Sequence, residues 1–474
     1  MDEFAAHLPP WFPESAHPTE DRLIQDVVRA TAPPLAAVVT AAAVPITFDV
    51  PLLGALLARP QEAFALAERL VGDYSFISRI NGHYRYYAPA RRAILALARQ
   101  QDAAGLRALN ATAASYFETQ SKTLPPGPER EGAERAYMYH LLGAGGTVEA
   151  LGYSELLRLF AEAESAFRLG VAHLLLRLAE EQVAELDDEH RTGLRWLEGR
   201  LLILQGRAKE AAKTLKTLLD DSPLSKQRPE IELTLAHALC DAGRWADAIV
   251  HAQAAERAFR AANRHFDQAR ALIRLSAAYS GLARSVRGTR SARPPVANRW
   301  LNILNELGIL IERLPILAYL MFRLVPRIVL PAVNRVARDQ DWVVARLFVS
   351  AAVFLGRASA ALRVAVGAVL DRRTEIEQIQ RDVGLALSTL YRTLGHPAHA
   401  ADLLEEQLYT SALRDNPYRQ ASVRLRLGEA LLDAGNNQLA TDELRAALMT
   451  LSEVKDIGGE AQARLLLGDR KSVV

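Results

Sequence analysis

Small residues recur in this chain at the spacing of a helix-turn-helix repeat. Within residues 191–223, RTGLRWLEGRLLILQGRAKEAAKTLKTLLDDSP, Gly199 stands where two helices cross, Leu202 lies three residues on along the same face, and Gly206 makes the turn. Ala211 is the small residue where the second helix meets the first. The next unit carries Ala236, Leu239, Gly243, Ala248 and Ala255 in the same roles. Near the C-terminus, Ser388, Tyr391, Gly395 and Ala400 form one unit, and Gly428, Leu431, Gly435, Ala440 and Ala447 form the next. Residues 268–283, with Ser276 and Tyr279, read as the first helix of a unit whose second helix is displaced. The physical reason is mechanical: backbones that approach closely leave no room for larger side chains.

These units resemble tetratricopeptide repeats, helix pairs of about 34 residues. The resemblance implies an all-α, tetratricopeptide-like α-solenoid in which each unit packs on its neighbours and the stack presents a concave groove. Helical repeats are expected over 105–283, degenerate at their start, and again over 373–468.

The N-terminal region follows another pattern. After a Pro-rich leader (1–33), short helices are expected over 34–43, 50–58 (with Asp49 as cap) and 61–71. SFISRI and HYRYYA are strand-like, and Asn81-Gly82 between them is a hairpin signal because both residues accept positive φ. A helix follows from Pro89. Three helices and then a hairpin is the order of a winged helix, assigned to 34–104. With GHYRYYAPARRAILALARQ and LNATAASYFETQ, residues 34–145 resemble the winged-helix segment of signal-transduction ATPases with numerous domains, which continues into a helical-repeat sensor arm. The chain contains no GxxxxGK[ST], so nucleotide hydrolysis is not carried over. Arg79, Arg85, Arg91 and Arg92 are candidates for a basic patch around the wing, whereas Glu62 and Glu68 on the expected recognition helix would repel phosphate.

Residues 284–299 form a basic linker with five arginines and no acid, read as an exposed loop. Residues 300–372 are unusually apolar. Arginines interrupt each candidate span, with prolines also in 314–334, and an arginine at bilayer centre costs about 2.5–3.5 kcal/mol. Three readings stay open there: helices buried among the repeats, an interfacial membrane helix, or a docking surface. The last six residues, 469–474, match a translated sequencing adapter, so the natural chain is expected to continue past Gly468.

Catalytic chemistry is not expected. A single cysteine, Cys240, excludes a disulfide framework and any multi-cysteine metal site. The histidines include no HExxH pair; His396 and His399 read as satisfied surface residues. Lys+Arg 57 against Asp+Glu 55 leaves a net charge of +2, which gives no general attraction to nucleic acid. The start of the chain lacks a secretory pattern, so the cytoplasm is expected, with a peripheral membrane position as the alternative.

The expected function is therefore a non-catalytic interaction scaffold or sensor arm, without cofactor or metal. Its partner is a protein or peptide in the groove, or a second copy of the chain; nucleic acid is not expected, and a membrane surface would be met through 300–370. The alternatives are a fragment of a DNA-linked transcriptional regulator and a membrane-peripheral scaffold.

Overall fold

The computed structural model describes residues 31–222, 225–287, 373–408 and 416–468, with 24, 26–29, 350–351, 353–359 and 361. The basic linker beyond 287, most of the apolar segment 300–372 and the tail 469–474 lie outside the described residues. The fold is all-α, built mainly of tetratricopeptide-like helix pairs in series, with one small sheet. The chain forms two compact units: residues 1–162 with 171–191, and residues 163–170 with 192–474.

The N-terminal unit begins α1 (Pro33–Ala43), β1 (Thr47–Phe48), α2 (Val50–Leu57), α3 (Ala63–Asp73), β2 (Ile77–Ile80) and β3 (His83–Tyr86). Asp49 caps α2, its carboxylate accepting from the Leu52 amide at 2.8 Å. Asn81 and Gly82 both take positive φ, +49° and +82°, and close the β2–β3 hairpin. The sheet order is β1-β3-β2, antiparallel throughout. On α3, Arg69 pairs with Asp73, and Glu68 accepts from Arg79 and from the Tyr84 hydroxyl.

Four more helices complete this unit: α4 (Ala88–Thr123), α5 (Pro128–Ala144), α6 (Glu149–Ser165) and α7 (Leu169–Glu181). Helix α4 kinks at Asp102, whose carboxylate accepts from the Gly105 amide and restarts the helix. The boundary expected at 104/105 falls beside that kink.

The sequence-based basic patch needs one correction. Arg91 is buried rather than on the surface. Its guanidinium donates to the carbonyls of Ala43, Val44 and Pro45, to the Tyr139 hydroxyl and to Glu181. The end of α1 leaves carbonyls without intrahelical donors, and their partial negative charge favours a cation. Nearby, His140 is fully buried and bonded through Nδ1 to Asn110 Oδ1 at 2.8 Å. The Asn110 amide nitrogen donates to Leu106, so its oxygen accepts and the histidine Nδ1 carries the proton. Burial lowers the His140 pKa to about 3, which keeps the ring neutral.

The repeat unit contains the pairs α8/α9 (Asp188–Leu204, Ala208–Asp221), α10/α11 (Arg228–Asp241, Trp245–Ala261), α13/α14 (Arg373–Leu394, Pro397–Leu408) and α15/α16 (Pro417–Asp433, Asn437–Glu453). The first helices α12 (His265–Arg287) and α17 (Ile457–Gly468) accompany them.

One turn joins each pair. Gly206, Gly243, Gly395 and Gly435 take φ of +74°, +74°, +91° and +81°. After each, the next amide bonds back five residues, to the carbonyls of Leu202, Leu239, Tyr391 and Leu431. This is the Schellman arrangement, which satisfies carbonyls left over at a helix end. Asn263 and Lys455 make the same turn without glycine, at φ +55° and +60°.

The crossings are tight. A Cβ on Gly199 would lie 2.6 Å from Leu215, and one on Gly428 2.5 Å from Leu444. Ala211, Ala236, Ala248, Ala400 and Ala440 have no exposed surface. Apolar clusters run between successive helices, such as Leu272 and Leu275 of α12 with Ile379 and Val383 of α13.

Candidate functional site

Polar residues recur at a constant step on the first helices α8, α10 and α12, and again on α13 and α15. The step is 37 residues rather than 34: Arg392 of α13 reaches Glu429 of α15, and Arg426 donates to the Thr389 hydroxyl at 3.2 Å, both 37 positions apart. The same step links Arg200, His237 and Arg274 on α8, α10 and α12. Neighbouring first helices also meet through the Trp196 indole, which donates to Thr234 at 2.7 Å.

His237 is flanked in this ladder by Arg200 and Arg274. Burial first, then the Arg274 and Arg200 charges, hold its imidazole well below its ordinary pKa. The ring is therefore neutral near pH 7. Beside it, burial raises the Asp241 carboxyl pKa, and Arg274 opposes the shift. Cys240 is buried and its thiol is pushed up to about 11 by burial, which suits a packing residue rather than a nucleophile.

Further along, guanidiniums gather around Asp382 of α13. Burial raises this carboxyl, while Arg381, Arg274, Arg270 and Arg419 act in the opposite sense. Arg381 is only 7% exposed, and its Nη1 is buried without a hydrogen-bond partner among the described residues. Burial lowers its pKa, with Asp382 and Glu377 opposing. Arg419 is lowered by burial and then by Arg381. Arg426 stays open to water, yet the protein around it and the charges of Arg274 and Arg392 still lower its pKa. Arg274 and Arg419 make no side-chain hydrogen bond or ion pair among the described residues. Positive charge is held here against its electrostatic preference.

Elsewhere on the ladder the arginines are neutralised. Arg200 pairs with Glu164 and lies over the Trp196 ring. Arg392 pairs with Glu429 and Asp433.

The residues singled out from sequence sit elsewhere. Gly199, Leu202, Gly206, Ala211, Ala236, Gly243, Ala248, Tyr391, Gly395, Ala400, Gly428, Gly435 and Ala440 lie in crossings and turns. They build the stack that holds the ladder. His237, Arg274, Arg381, Asp382, Arg419 and Arg426 were missed. The detectable signal was the 37-residue step applied to polar positions instead of small ones. His396 differs from its expectation: its Nε2 is buried with no hydrogen-bond partner among the described residues.

No family model matches the chain, and no curated protein matches it. Solved structures of helical-repeat form do resemble it. One is Rap protein complexed with competence and sporulation factor, at 11% identity over 96% of this chain and 98% of that one, TM-score 0.40. A second is a signal-transduction ATPase with numerous domains with a tetratricopeptide repeat sensor, from Pyrococcus horikoshii. It is 13% identical over 96% of this chain, TM-score 0.31, and the chain spans 65% of its length. A third is a monomeric IFIT1 mutant with Gppp-AAAA, 12% identical over 97% of this chain and 96% of that one, TM-score 0.37.

Among the described residues, Glu149, Asp187 and His190 come close enough to hold a metal ion. Their hydrogen bonds describe a cap instead. Glu149 accepts from the Asp187 amide at 2.8 Å and lies 2.7 Å from His190 Nδ1, and Asp187 accepts from the His190 amide at 2.7 Å. The start of α8 is thereby satisfied. No helix among the described residues is long and apolar enough to cross a membrane.

Proposed function

We propose that the chain is a non-catalytic binding arm that takes a protein or peptide along the first-helix face of its repeat unit. The observation that supports this is the polar ladder itself. Stack stability needs small residues at the crossings and glycines at the turns; it does not need Arg274, Arg419 or Arg426. Arg274 and Arg419 make no side-chain hydrogen bond or ion pair among the described residues, and side chains placed so are suited to a partner outside the fold. In this reading residues 34–104 form a winged-helix-like domain, supported by the helix-strand-helix-helix-hairpin order and the β1-β3-β2 sheet.

The test is site-specific photocrosslinking in the native host. A benzoylphenylalanine at His237 or Thr389 should capture the same protein, whereas one at the second-helix positions Lys213 or Asp442 should not. Equal capture from all four positions, or none from the ladder, would overturn the reading.

A further inference from the structure

We propose that the partner is acidic: a peptide rich in Asp or Glu binds around Asp382, with Arg274, Arg381, Arg419 and Arg426 as its guanidinium donors. This rests on the binding-arm reading above and names the chemistry of the ligand.

The geometry comes from two registers. Leu272 and Leu275 share an apolar cluster with Ile379 and Val383, which sets α12 against α13 and lets Arg274 act on Asp382. The contact of Arg426 with Thr389 sets α15 against α13 at the 37-residue step, and that step sets Arg419 beside Asp382. All four guanidiniums act on or feel Asp382, while Glu377, Glu164 and Glu429 also act on Arg381, Arg419 and Arg426 in turn. Arg381 Nη1 is buried with no hydrogen-bond partner among the described residues. A buried unmet donor on a charged group is costly to keep, and carboxylate is the acceptor that pairs most strongly with a guanidinium.

The choice of peptide over nucleic acid follows from two features. Among the described residues none of these four arginines stacks on an aromatic ring, whereas single-stranded nucleic acid is held mainly by stacked bases along a basic track. The charge forms a patch and not a track, because Arg200 and Arg392 are already neutralised.

The experiment uses the full chain and fluorescence anisotropy. The probes are a labelled decapeptide of alternating Glu and Ala, its Gln-for-Glu counterpart, and a labelled uridine decamer. The acidic peptide should bind at least tenfold more tightly than the Gln peptide, and salt should weaken it. Arg419→Gln and Arg426→Gln should each weaken binding at least fivefold. Asp382→Asn should strengthen it at least twofold, a gain that misfolding cannot imitate. Equal binding of both peptides, tighter binding of the uridine decamer lost on the same substitutions, or weakening by Asp382→Asn would overturn the proposal. If the peptide fails while crosslinking at His237 and Thr389 still captures one protein, only the acidic ligand is rejected. If crosslinking fails as well, the binding arm falls with it.

Discussion

Arg91 and Arg381 are buried to nearly the same degree, at 6% and 7% exposure, and their surroundings are opposite. Arg91 in the N-terminal unit is enclosed by three carbonyls, a tyrosine hydroxyl and Glu181. Arg381 in the repeat unit keeps a buried nitrogen with no partner among the described residues and has other guanidiniums nearby. Burying a charge costs several kcal/mol unless it is paired and hydrogen-bonded. The first arginine meets that cost inside the fold and acts as a clamp. The second has no such partner among the described residues, which is the basis for proposing that its neighbourhood meets a partner.

The sharpest way to break this comparison is to replace both residues by methionine. Arg91→Met should destabilise the chain by about 3–5 kcal/mol, because the Ala43, Val44 and Pro45 carbonyls lose their donor. Urea unfolding followed by circular dichroism measures it. An unchanged midpoint would show that the clamp does not hold α1.

Acid should sharpen the comparison next. His140 is neutral in the fold, with its pKa lowered from 6.5 to about 3. Its stability contribution is complete above pH 6.5 and is lost as pH falls, since only the unfolded chain binds the proton in that window. The loss between pH 6.5 and 4.5 is about 2 kcal/mol. His140→Gln should flatten the pH dependence of the urea midpoint by that amount; an equal slope in both chains would contradict the buried neutral ring.

Packing gives a smaller contrast. A Cβ on Gly152 would meet the Leu142 backbone nitrogen at 2.8 Å, whereas the atoms nearest one on Gly199 belong to the Leu215 side chain. Gly152→Ala should cost about 2 kcal/mol and Gly199→Ala about 1 kcal/mol or less. Thermal melts of the two variants test the order, and a larger loss at Gly199 would reverse it.

The smallest effect is expected at Arg381. Exchanging a buried charge for an apolar side chain is often neutral or stabilising, and Arg381 Nη1 has no hydrogen-bond partner among the described residues, so Arg381→Met should change stability by less than about 1 kcal/mol. A loss as large as that of Arg91→Met would mean Arg381 is structural after all.

Much of the architecture was legible in the sequence because it depends on local backbone chemistry. Gly206, Gly243, Gly395 and Gly435 mark their turns since positive φ suits glycine. Asn81-Gly82 marks the hairpin for the same reason, and Asp49 marks a helix start through its side-chain oxygen. What the sequence could not announce was the pairing of polar groups. Arg91 reads as one of several wing arginines until α1, α5 and α7 are brought around it. His140 finds Asn110 from 30 residues away. The ladder needs the register between first helices, a property of how Leu272, Leu275, Ile379 and Val383 pack. Turns and caps are settled within a few residues of chain. Whether a guanidinium has a partner depends on what tertiary packing brings within hydrogen-bond reach, and that difference separates the clamp from the candidate site.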